Sequence, residues 1–373
     1  MNEAMNRLQN LCLSETSAAS LAKVEEDYVL DIASQRSGNP EDRLLAATSS
    51  NFTIRLMSRN SLANYGAIKG HTEVITGICW GNTEPNLLYS CSLDKTVRCW
   101  DCRTKLSKEV QKYKGSDETN SLFSCLDVNA TDELLIAGLE ADKDGNAFIL
   151  FWDRRNSELM GAYSESHQDD ITQVTFHPTK PNQLATGSTD GLVCVFDLSE
   201  DSEDDALSYT FNTCSTVARV GWCGAGRDHV YCTTHVDGVH VWDSVEGDLV
   251  GEWTNIKEEL KEDGGVDYVV DCFPGDDNQL YTLTGTNSGS LQIAELGTDQ
   301  PVKRVCCLSG GHKAVVRCAN WDNQMSTLVT GGEDSLLCSW SSTPAVSSPS
   351  KHSSSKAKIK DRRSTPRSRP YKR

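Results

Sequence analysis

A repeating pattern of histidine, aspartate and tryptophan constrains this chain more than any other feature of its sequence. In Gly70–Asp101, His71 precedes an apolar segment, Asp94 follows a second one, and Trp100 closes a third. Gly311–Trp340 repeats the pattern, and both copies place the aspartate six residues before the tryptophan. Three strands and short turns at this spacing are typical of one blade of a β-propeller, whose blades are four-stranded sheets.

Weaker copies of the pattern extend the count to seven blades. In the copy that ends at Phe196 a phenylalanine replaces the tryptophan, and four other copies keep mainly the strand pattern. The closing positions are residues 57, 100, 152, 196, 242, 294 and 340. Their separations of 43 to 52 residues are close to the ~40–45 residues of a propeller blade. The sequence therefore predicts an all-β, seven-bladed propeller over residues 28–341.

The recurring polar and aromatic residues predict a buried structural network in three blades, because buried polar groups need hydrogen-bond partners. Together with a serine or threonine the set has the composition of a hydrolase triad. A triad, however, occurs once per site and has an exposed nucleophile, whereas this set recurs at fixed spacing. We therefore expect a structural role and no enzyme. The predicted network residues are His71, Asp94, Trp100, His167, Asp190, Phe196, His312, Asp334 and Trp340.

Other sequence features argue against a cofactor or a metal. The chain contains no phosphate-binding glycine loop, and its one CxxC motif, Cys99–Cys102, has no second pair to complete a zinc site. The fifteen cysteines are odd in number and many alternate with apolar residues in predicted strands. They are expected to be buried free thiols, as in an intracellular protein.

The two ends of the chain differ from the repeats. Residues 1–27 are expected to include the strand that closes the last blade, with 8–15 as the best candidate, and contain no apolar core for a signal peptide or membrane span. Residues 342–373 are predicted to be a disordered basic tail. Residues 351–373 contain ten Lys or Arg and one Asp, within a chain of net charge −17. This tail favours the nucleus or nucleolus over the cytoplasm and is the only expected contact with nucleic acid.

Acidic loops predict a binding surface for basic protein segments. The loops between second and third strands, and those before each first strand, should gather on one face around the central channel. A negative potential there would attract lysine- or arginine-rich segments, and ordinary solvation is the alternative interpretation. The residues concerned are Asp117, Glu118, Glu140, Asp142, Asp144, Asp169, Asp170 and Glu333.

Two further motifs suggest surface functions. Arg103 and Arg155 each close a WDxR motif, on consecutive blades. The pair resembles the motif of substrate receptors that dock on the DDB-one adaptor of cullin-four ubiquitin ligases, although Arg or Lys after Trp-Asp is common in such repeats. The acidic run 197–208 predicts a flexible loop, and Ser202 within it fits an acid-directed kinase site. The turn 139–147 is interpreted as a solvated hairpin rather than a calcium loop, since it lacks the EF-hand spacing.

The chain resembles the family of WD repeat-containing protein 89, a group of one-domain WD-repeat propellers. The segments that carry the resemblance are 91–101, 159–178, 188–197, 310–317, 331–337 and the basic C-terminus. The resemblance implies a seven-bladed propeller with a non-enzymatic role as a protein-interaction scaffold, and we expect this propeller to be monomeric. A plant relative is linked to ribosome-assembly factors. Two alternatives to a general scaffold stay open: a cullin-four substrate receptor, which the WDxR pair suggests, and a ribosome-assembly or chromatin-associated factor that binds basic protein segments, which the acidic loops and the basic tail suggest.

Overall fold

The computed structural model confirms the seven-bladed propeller. It describes residues 13–21, 27–104, 106, 108–116, 122–275, 278–298 and 300–341. These residues form seven four-stranded antiparallel sheets, and each of the first six is built from four strands that are consecutive in the chain. The predicted disordered tail, residues 342–373, lies outside the described residues.

The strands follow one another blade by blade, and only the last blade takes a strand from the other end of the chain. Blade one contains β2 (Val29–Ser34), β3 (Leu44–Ser49), β4 (Thr53–Ser58) and β5 (Asn64–Lys69). Blade two contains β6 (Ile75–Trp80), β7 (Leu87–Ser92), β8 (Thr96–Asp101) and β9 (Gln111–Tyr113). Blade three contains β10 (Phe123–Val128), β11 (Leu134–Leu139), β12 (Ile149–Asp153) and β13 (Leu159–Tyr163). Blade four contains β14 (Ile171–Phe176), β15 (Gln183–Ser188), β16 (Leu192–Asp197) and β17 (Leu207–Asn212).

The remaining blades keep the same order. Blade five contains β18 (Val217–Cys223), β19 (His229–Thr234), β20 (Val239–Asp243) and β21 (Leu249–Trp253). Blade six contains β22 (Tyr268–Pro274), β23 (Leu280–Gly285), β24 (Leu291–Leu296) and β25 (Lys303–Leu308). Blade seven contains β26 (Val316–Asp322), β27 (Thr327–Gly332), β28 (Leu336–Ser341) and β1 (Ser14–Ser20). The connections among the described residues contain two short helices, α1 (Glu203–Ala206) and α2 (Ile256–Glu259), and two single 3-10 turns, Pro40–Asp42 and Lys261–Asp263.

The hydrophobic core lies between blades rather than within one. A central strand such as β7 is buried at all six positions, because both of its faces pack against neighbouring sheets. One apolar cluster joins Tyr89 and Cys99 of blade two to Phe123, Leu135 and Trp152 of blade three. Each blade therefore depends on its neighbours for burial, as expected for a ring of repeats.

The strand that closes the ring lies later in the chain than the sequence suggested. β1 pairs antiparallel with β28, with Ser14 opposite Ser341 and Ser20 opposite Leu336. The expected segment 8–15 overlaps this strand at two residues, and residues 8–12 lie outside the described residues. An outermost strand exposes one face to solvent, so it needs no apolar run, and β1 is built from small and polar residues. Leu13, 4% exposed, and Leu21, 5% exposed, anchor its two ends.

The acidic run 197–208 is ordered, and the prediction of a flexible loop was wrong. Residues 203–206 form α1, and Ala206 is fully buried. The Glu203 carboxylate accepts hydrogen bonds from the backbone N–H groups of Ser164 at 2.7 Å, Glu165 at 3.0 Å and Ser166 at 2.9 Å. Hydrogen bonds to a charged acceptor are stronger than neutral ones. Glu203 thus connects this loop to the segment that follows the preceding blade. The acidic composition of the loop gives no sign of this contact.

The described cysteines are free thiols, as predicted. All of them except Cys214 and Cys307 are buried. Burial is the main cause that raises the pKa of the Cys99 and Cys232 thiols to about 12. A thiol with so high a pKa stays protonated at neutral pH and reacts poorly as a nucleophile. The buried cysteines therefore act as small apolar core residues.

Candidate functional site

The triad-like residues of blade two form a closed hydrogen-bonded chain. His71 Nδ1 lies 2.8 Å from Asp94 Oδ2, and its Nε2 lies 2.7 Å from Ser90 Oγ. Trp100 Nε1 donates to the same serine oxygen at 2.8 Å. The tryptophan N–H therefore donates to the serine, the serine hydroxyl to His71, and the histidine Nδ1–H to Asp94. Every polar group has a partner, as burial requires.

Blade seven repeats this geometry. His312 Nδ1 lies 3.1 Å from Asp334 Oδ1, and its Nε2 lies 2.8 Å from Thr330 Oγ1. Trp340 Nε1 donates to the same threonine oxygen at 2.8 Å. The backbone N–H of Lys313 also donates to Asp334 at 2.8 Å. The aspartate thus joins the loop before the first strand to the turn between the second and third strands.

Blade four keeps the network without the indole. His167 Nδ1 lies 3.1 Å from Asp190 Oδ2, and its Nε2 lies 2.7 Å from Thr186 Oγ1. Phe196, fully buried, fills the tryptophan position and has no N–H to donate. The aromatic volume is therefore common to all three networks, whereas the indole hydrogen bond belongs to two of them.

The protonation of the blade-two network suits structure rather than catalysis. Burial would raise the pKa of Asp94, but hydrogen bonds from His71 and Thr96 outweigh it and hold the pKa far below its ordinary value. Burial lowers the pKa of His71, so a neutral imidazole faces an ionised carboxylate. The hydroxyl that would serve as nucleophile belongs to Ser90, which is fully buried. A substrate has no access to it, in contrast to a hydrolase triad.

Five of the predicted acidic residues lie together between blades three and four, and we call them the acidic patch. Asp170 Oδ1 accepts a hydrogen bond from the backbone N–H of Ala141 at 2.8 Å, which joins the two loops. Burial, and secondarily the nearby Asp170 carboxylate, raise the pKa of Glu140. No ion pair neutralises the patch among the described residues. Its members are Glu140, Asp142, Asp144, Asp169 and Asp170.

The other predicted acidic residues do not join this patch. Glu333 lies in blade seven, where its carboxylate forms an ion pair with Arg317. Asp117 and Glu118 lie outside the described residues. The predicted acidic surface is therefore carried by the two loops of the patch, as far as the structure describes it.

The turn 139–147 is a hairpin turn held by hydrogen bonds to the side chain of its own Asp142. Asp142 Oδ1 accepts from the backbone N–H groups of Asp144 and Asn146, both at 2.9 Å. Gly145 has a φ of 85°, which favours glycine. Asp142 is thus occupied by its own turn, and the described residues contain no cluster of ligands that would hold a metal ion.

The two WDxR arginines adopt the same conformation. Arg103 forms two parallel hydrogen bonds to Asp101, with Nε at 2.9 Å and an Nη at 2.8 Å. Arg155 repeats this with Asp153 at 3.0 and 2.7 Å. Their side chains are 63% and 74% exposed. The structure therefore presents two pre-oriented guanidinium groups at equivalent turns of consecutive blades.

Ser202 lies on the surface at the start of α1. Its Oγ accepts the backbone N–H of Asp205 at 3.2 Å and donates to the Asp205 carboxylate at 2.7 Å. It is thus the N-cap of the helix. Its phosphorylation stays a prediction.

Sequence reasoning missed the aspartates that join one blade to the next. Asp132, 1% exposed, accepts hydrogen bonds from the backbone N–H groups of Asn82, Thr83 and Glu84 at 2.7 to 2.9 Å. Arg154 completes the link, because it donates to the Asp132 carbonyl and to the Glu84 carboxylate. The only local signal was an aspartate in a hairpin turn, and its φ of 58° is not visible in the sequence.

Comparison with known proteins places these features in one family. The sequence profile described as "WD domain, G-beta repeat" matches residues 63–101, 160–197 and 303–341. These segments contain the three His–Asp networks of blades two, four and seven. No helix among the described residues has the length and apolarity needed to span a bilayer.

Several curated relatives resemble the chain. The WD repeat-containing protein GTS1 of Arabidopsis thaliana is 31% identical over 90% of this chain and 89% of its own length. The WD repeat-containing protein 89 homolog of Dictyostelium discoideum is 28% identical over 86% of this chain and 84% of its own. The GATOR2 complex protein WDR24 of Danio rerio is 30% identical over 46% of this chain and 21% of its own. The seven blades, the repeated networks and the similarity to the Arabidopsis thaliana and Dictyostelium discoideum proteins over most of their length show that the chain belongs to the WD-repeat protein family.

Proposed function

We propose that this protein is a non-enzymatic interaction scaffold whose acidic patch binds a basic segment of a partner protein. The observation that carries the proposal is the patch itself, five carboxylates on two adjoining loops without a neutralising ion pair among the described residues. Electrostatic complementarity of this kind accelerates encounter and selects partners. One relative is by its name a protein of the GATOR2 complex, which agrees with a role in an assembly.

The raised pKa of Glu140 supports a binding role for the patch. A carboxyl group whose pKa is raised by burial and by a neighbouring carboxylate is destabilised when ionised. A lysine or arginine placed beside Glu140 and Asp170 would relieve that repulsion. The ionised patch therefore lowers the stability of the folded protein, and a bound basic ligand would restore part of that stability.

Basic segments of several intracellular protein classes have the required chemistry. Histone tails and the extensions of ribosomal proteins are lysine- and arginine-rich, and a chromatin or ribosome-assembly role would follow from either. Nuclear or nucleolar location remains a proposal based on the basic residues 351–373.

Binding of a labelled lysine- and arginine-rich peptide, measured by fluorescence anisotropy at low ionic strength, tests the proposal. The triple variant Asp142→Asn, Asp144→Asn and Asp169→Asn should bind about 10- to 100-fold more weakly, since each exposed charge contributes about 0.5–1 kcal/mol. Affinity should also fall with added salt. It should fall again as the pH decreases through the pKa of Glu140, which lies above the ordinary 4.5.

A matched control removes three negative charges elsewhere. Glu41→Gln, Glu246→Gln and Asp248→Asn change the net charge equally, at exposed positions of blades one and five. This variant should bind the peptide like the wild type. Equal weakening in both triple variants, or no binding at low salt, would contradict the proposed patch.

A second candidate function rests on the matching geometry of Arg103 and Arg155. We propose that the pair docks this protein on the DDB-one adaptor, as a substrate receptor of a cullin-four ubiquitin ligase. Arginine suits such a contact because its planar fork satisfies several acceptors at once. The experiment is capture of purified adaptor by wild type and by Arg103→Ala/Arg155→Ala.

The expected result is capture by the wild type and at least tenfold less by the arginine pair variant. Lys303→Ala/Lys313→Ala removes two exposed positive charges near blades six and seven and should capture as much adaptor as the wild type. Absence of adaptor in the wild-type sample would reject the receptor role and leave the acidic patch unaffected.

A further inference from the structure

The first strand of every blade contributes one residue to a ring around the central channel. Each of these strands has a β-bulge near its start, where the register with the second strand shifts by one residue. The residue after the bulge is structurally equivalent in all seven blades. The ring consists of Asp31, Gly77, Cys125, Gln173, Arg219, Asp271 and Cys318.

Six of these residues line a cavity of about 210 Å³ in the channel. Ser34, Thr76, Ser124 and Thr172 belong to the same lining. This space is large enough for several water molecules or for one small organic molecule. The cavity is therefore polar and of a size for a small ligand.

Three charged residues stand out in the ring. Burial raises the pKa of both Asp31 and Asp271, and the positive charge of Arg219 opposes the rise. For Arg219, the carboxylates of Asp271 and Asp31 outweigh the effect of burial and raise its pKa. Arg219 thus stays charged in the channel, and the two carboxylates lie near enough to influence it.

These charges are not joined in a direct ion pair. Within the part of the chain that the structure describes, no carboxylate oxygen lies within 4 Å of the Arg219 guanidinium and no acceptor receives its N–H groups. Each guanidinium nitrogen keeps some solvent exposure, since none of them is among the fully buried unpaired atoms of the described residues. The Arg219 residue as a whole is half-buried, in agreement with this exposure.

The two aspartates differ in how many of their carboxylate oxygens accept a hydrogen bond from the protein. Asp31 accepts the backbone N–H of Ile32 at 2.8 Å through one oxygen and that of Ile78 at 3.2 Å through the other. It therefore links blade one to blade two. Asp271 accepts one hydrogen bond from the described residues, from the backbone N–H of Cys272 at 2.7 Å through Oδ1. Its second oxygen accepts no hydrogen bond from a described residue, and Asp271 lines the same cavity as Arg219.

We propose that this cavity binds a small zwitterion of the α-amino acid type, with its carboxylate on Arg219 and its ammonium group on Asp271. A ligand with only a negative charge would be repelled by the two aspartates, and a ligand with only a positive charge would be repelled by Arg219. A ligand that carries both charges satisfies both sides through charge-assisted hydrogen bonds. The proposal is independent of the acidic patch, which lies on other residues.

The test uses the full-length protein and a panel of the common α-amino acids, with binding measured by saturation-transfer NMR and by the shift of the thermal unfolding midpoint. Alanine is compared with ethylamine and propionate, which carry one of its two charges each. At least one amino acid should bind and raise the midpoint, while the single-charge analogues should not. Failure of every amino acid, or equal binding of an analogue, would overturn the proposal.

Two variants locate the site. Arg219→Met and Asp271→Asn should each weaken binding of the amino acid at least tenfold, whereas Cys318→Ser, a neutral change in the same ring, should not. Unfolding midpoints without ligand show whether each variant is folded. Arg219→Lys provides a second, more conservative change, and it should weaken binding because lysine presents no planar fork. Unchanged binding in folded Arg219 and Asp271 variants would place the ligand elsewhere.

Discussion

Replacing Trp340 by alanine should lower the free energy of unfolding by about 3–5 kcal/mol, the usual cost of removing a large buried aromatic side chain. Trp340 is fully buried and packs with Leu13, Leu328 and Cys338 in the cluster that joins blades six and seven. Its loss creates a cavity and removes the N–H that donates to Thr330. Urea unfolding followed by tryptophan fluorescence and circular dichroism measures the change.

Trp340→Phe is the matched variant. It keeps the aromatic volume and loses the indole hydrogen bond, so the cost should be about 1–2 kcal/mol. Blade four already contains this arrangement at Phe196. Equal costs for the alanine and phenylalanine variants would mean that the hydrogen bond, not packing, holds the network together, contrary to our expectation.

Deleting residues 1–20 should destabilise the protein by at least about 3 kcal/mol and make it associate. The deletion removes β1, whose pairing with β28 closes the ring, and with it the buried Leu13. Burial of one leucine is worth about 1.5–3 kcal/mol, and each backbone hydrogen bond adds about 0.5–1.5 kcal/mol. The exposed edge of β28 then becomes a template for pairing with other chains. Thermal unfolding and size-exclusion chromatography at several concentrations give the two readouts.

Deletion of residues 1–12 is the control, because it leaves Leu13 and β1 in place. Its unfolding midpoint and elution volume should equal those of the full-length protein. A synthetic peptide of residues 13–21 added to the shorter protein should restore part of the lost stability. A shorter protein that melts and elutes like the full chain would show that β1 does not close the ring in solution.

The number and position of the blades were predictable because their signals are local. A hairpin, a turn aspartate and a closing aromatic residue six positions later all act over distances shorter than one blade. Even the degenerate copies at Met57 and Ala294 kept enough of the strand pattern to be counted. The prediction was less successful for β1 and for the acidic run 197–208, where composition was a poor guide. A solvent-facing strand needs no apolar residues. The hydrogen bonds that the Glu203 carboxylate accepts help to order a highly charged loop.

The candidate sites show the same difference between features encoded by local sequence and features set by the tertiary structure. The sequence by itself determined the repeated fold, the structural networks and the identity of the acidic loops and WDxR arginines, because short-range spacing encodes them. Only the tertiary structure decided that Glu140 and Asp170 share one patch while Glu333 pairs with Arg317. It also placed Arg219 and Asp271 in one cavity, although the sequence shows no motif that links them. These arrangements bring together residues of different strands or blades, so they depend on closure of the ring and on the bulge in each first strand rather than on any local pattern.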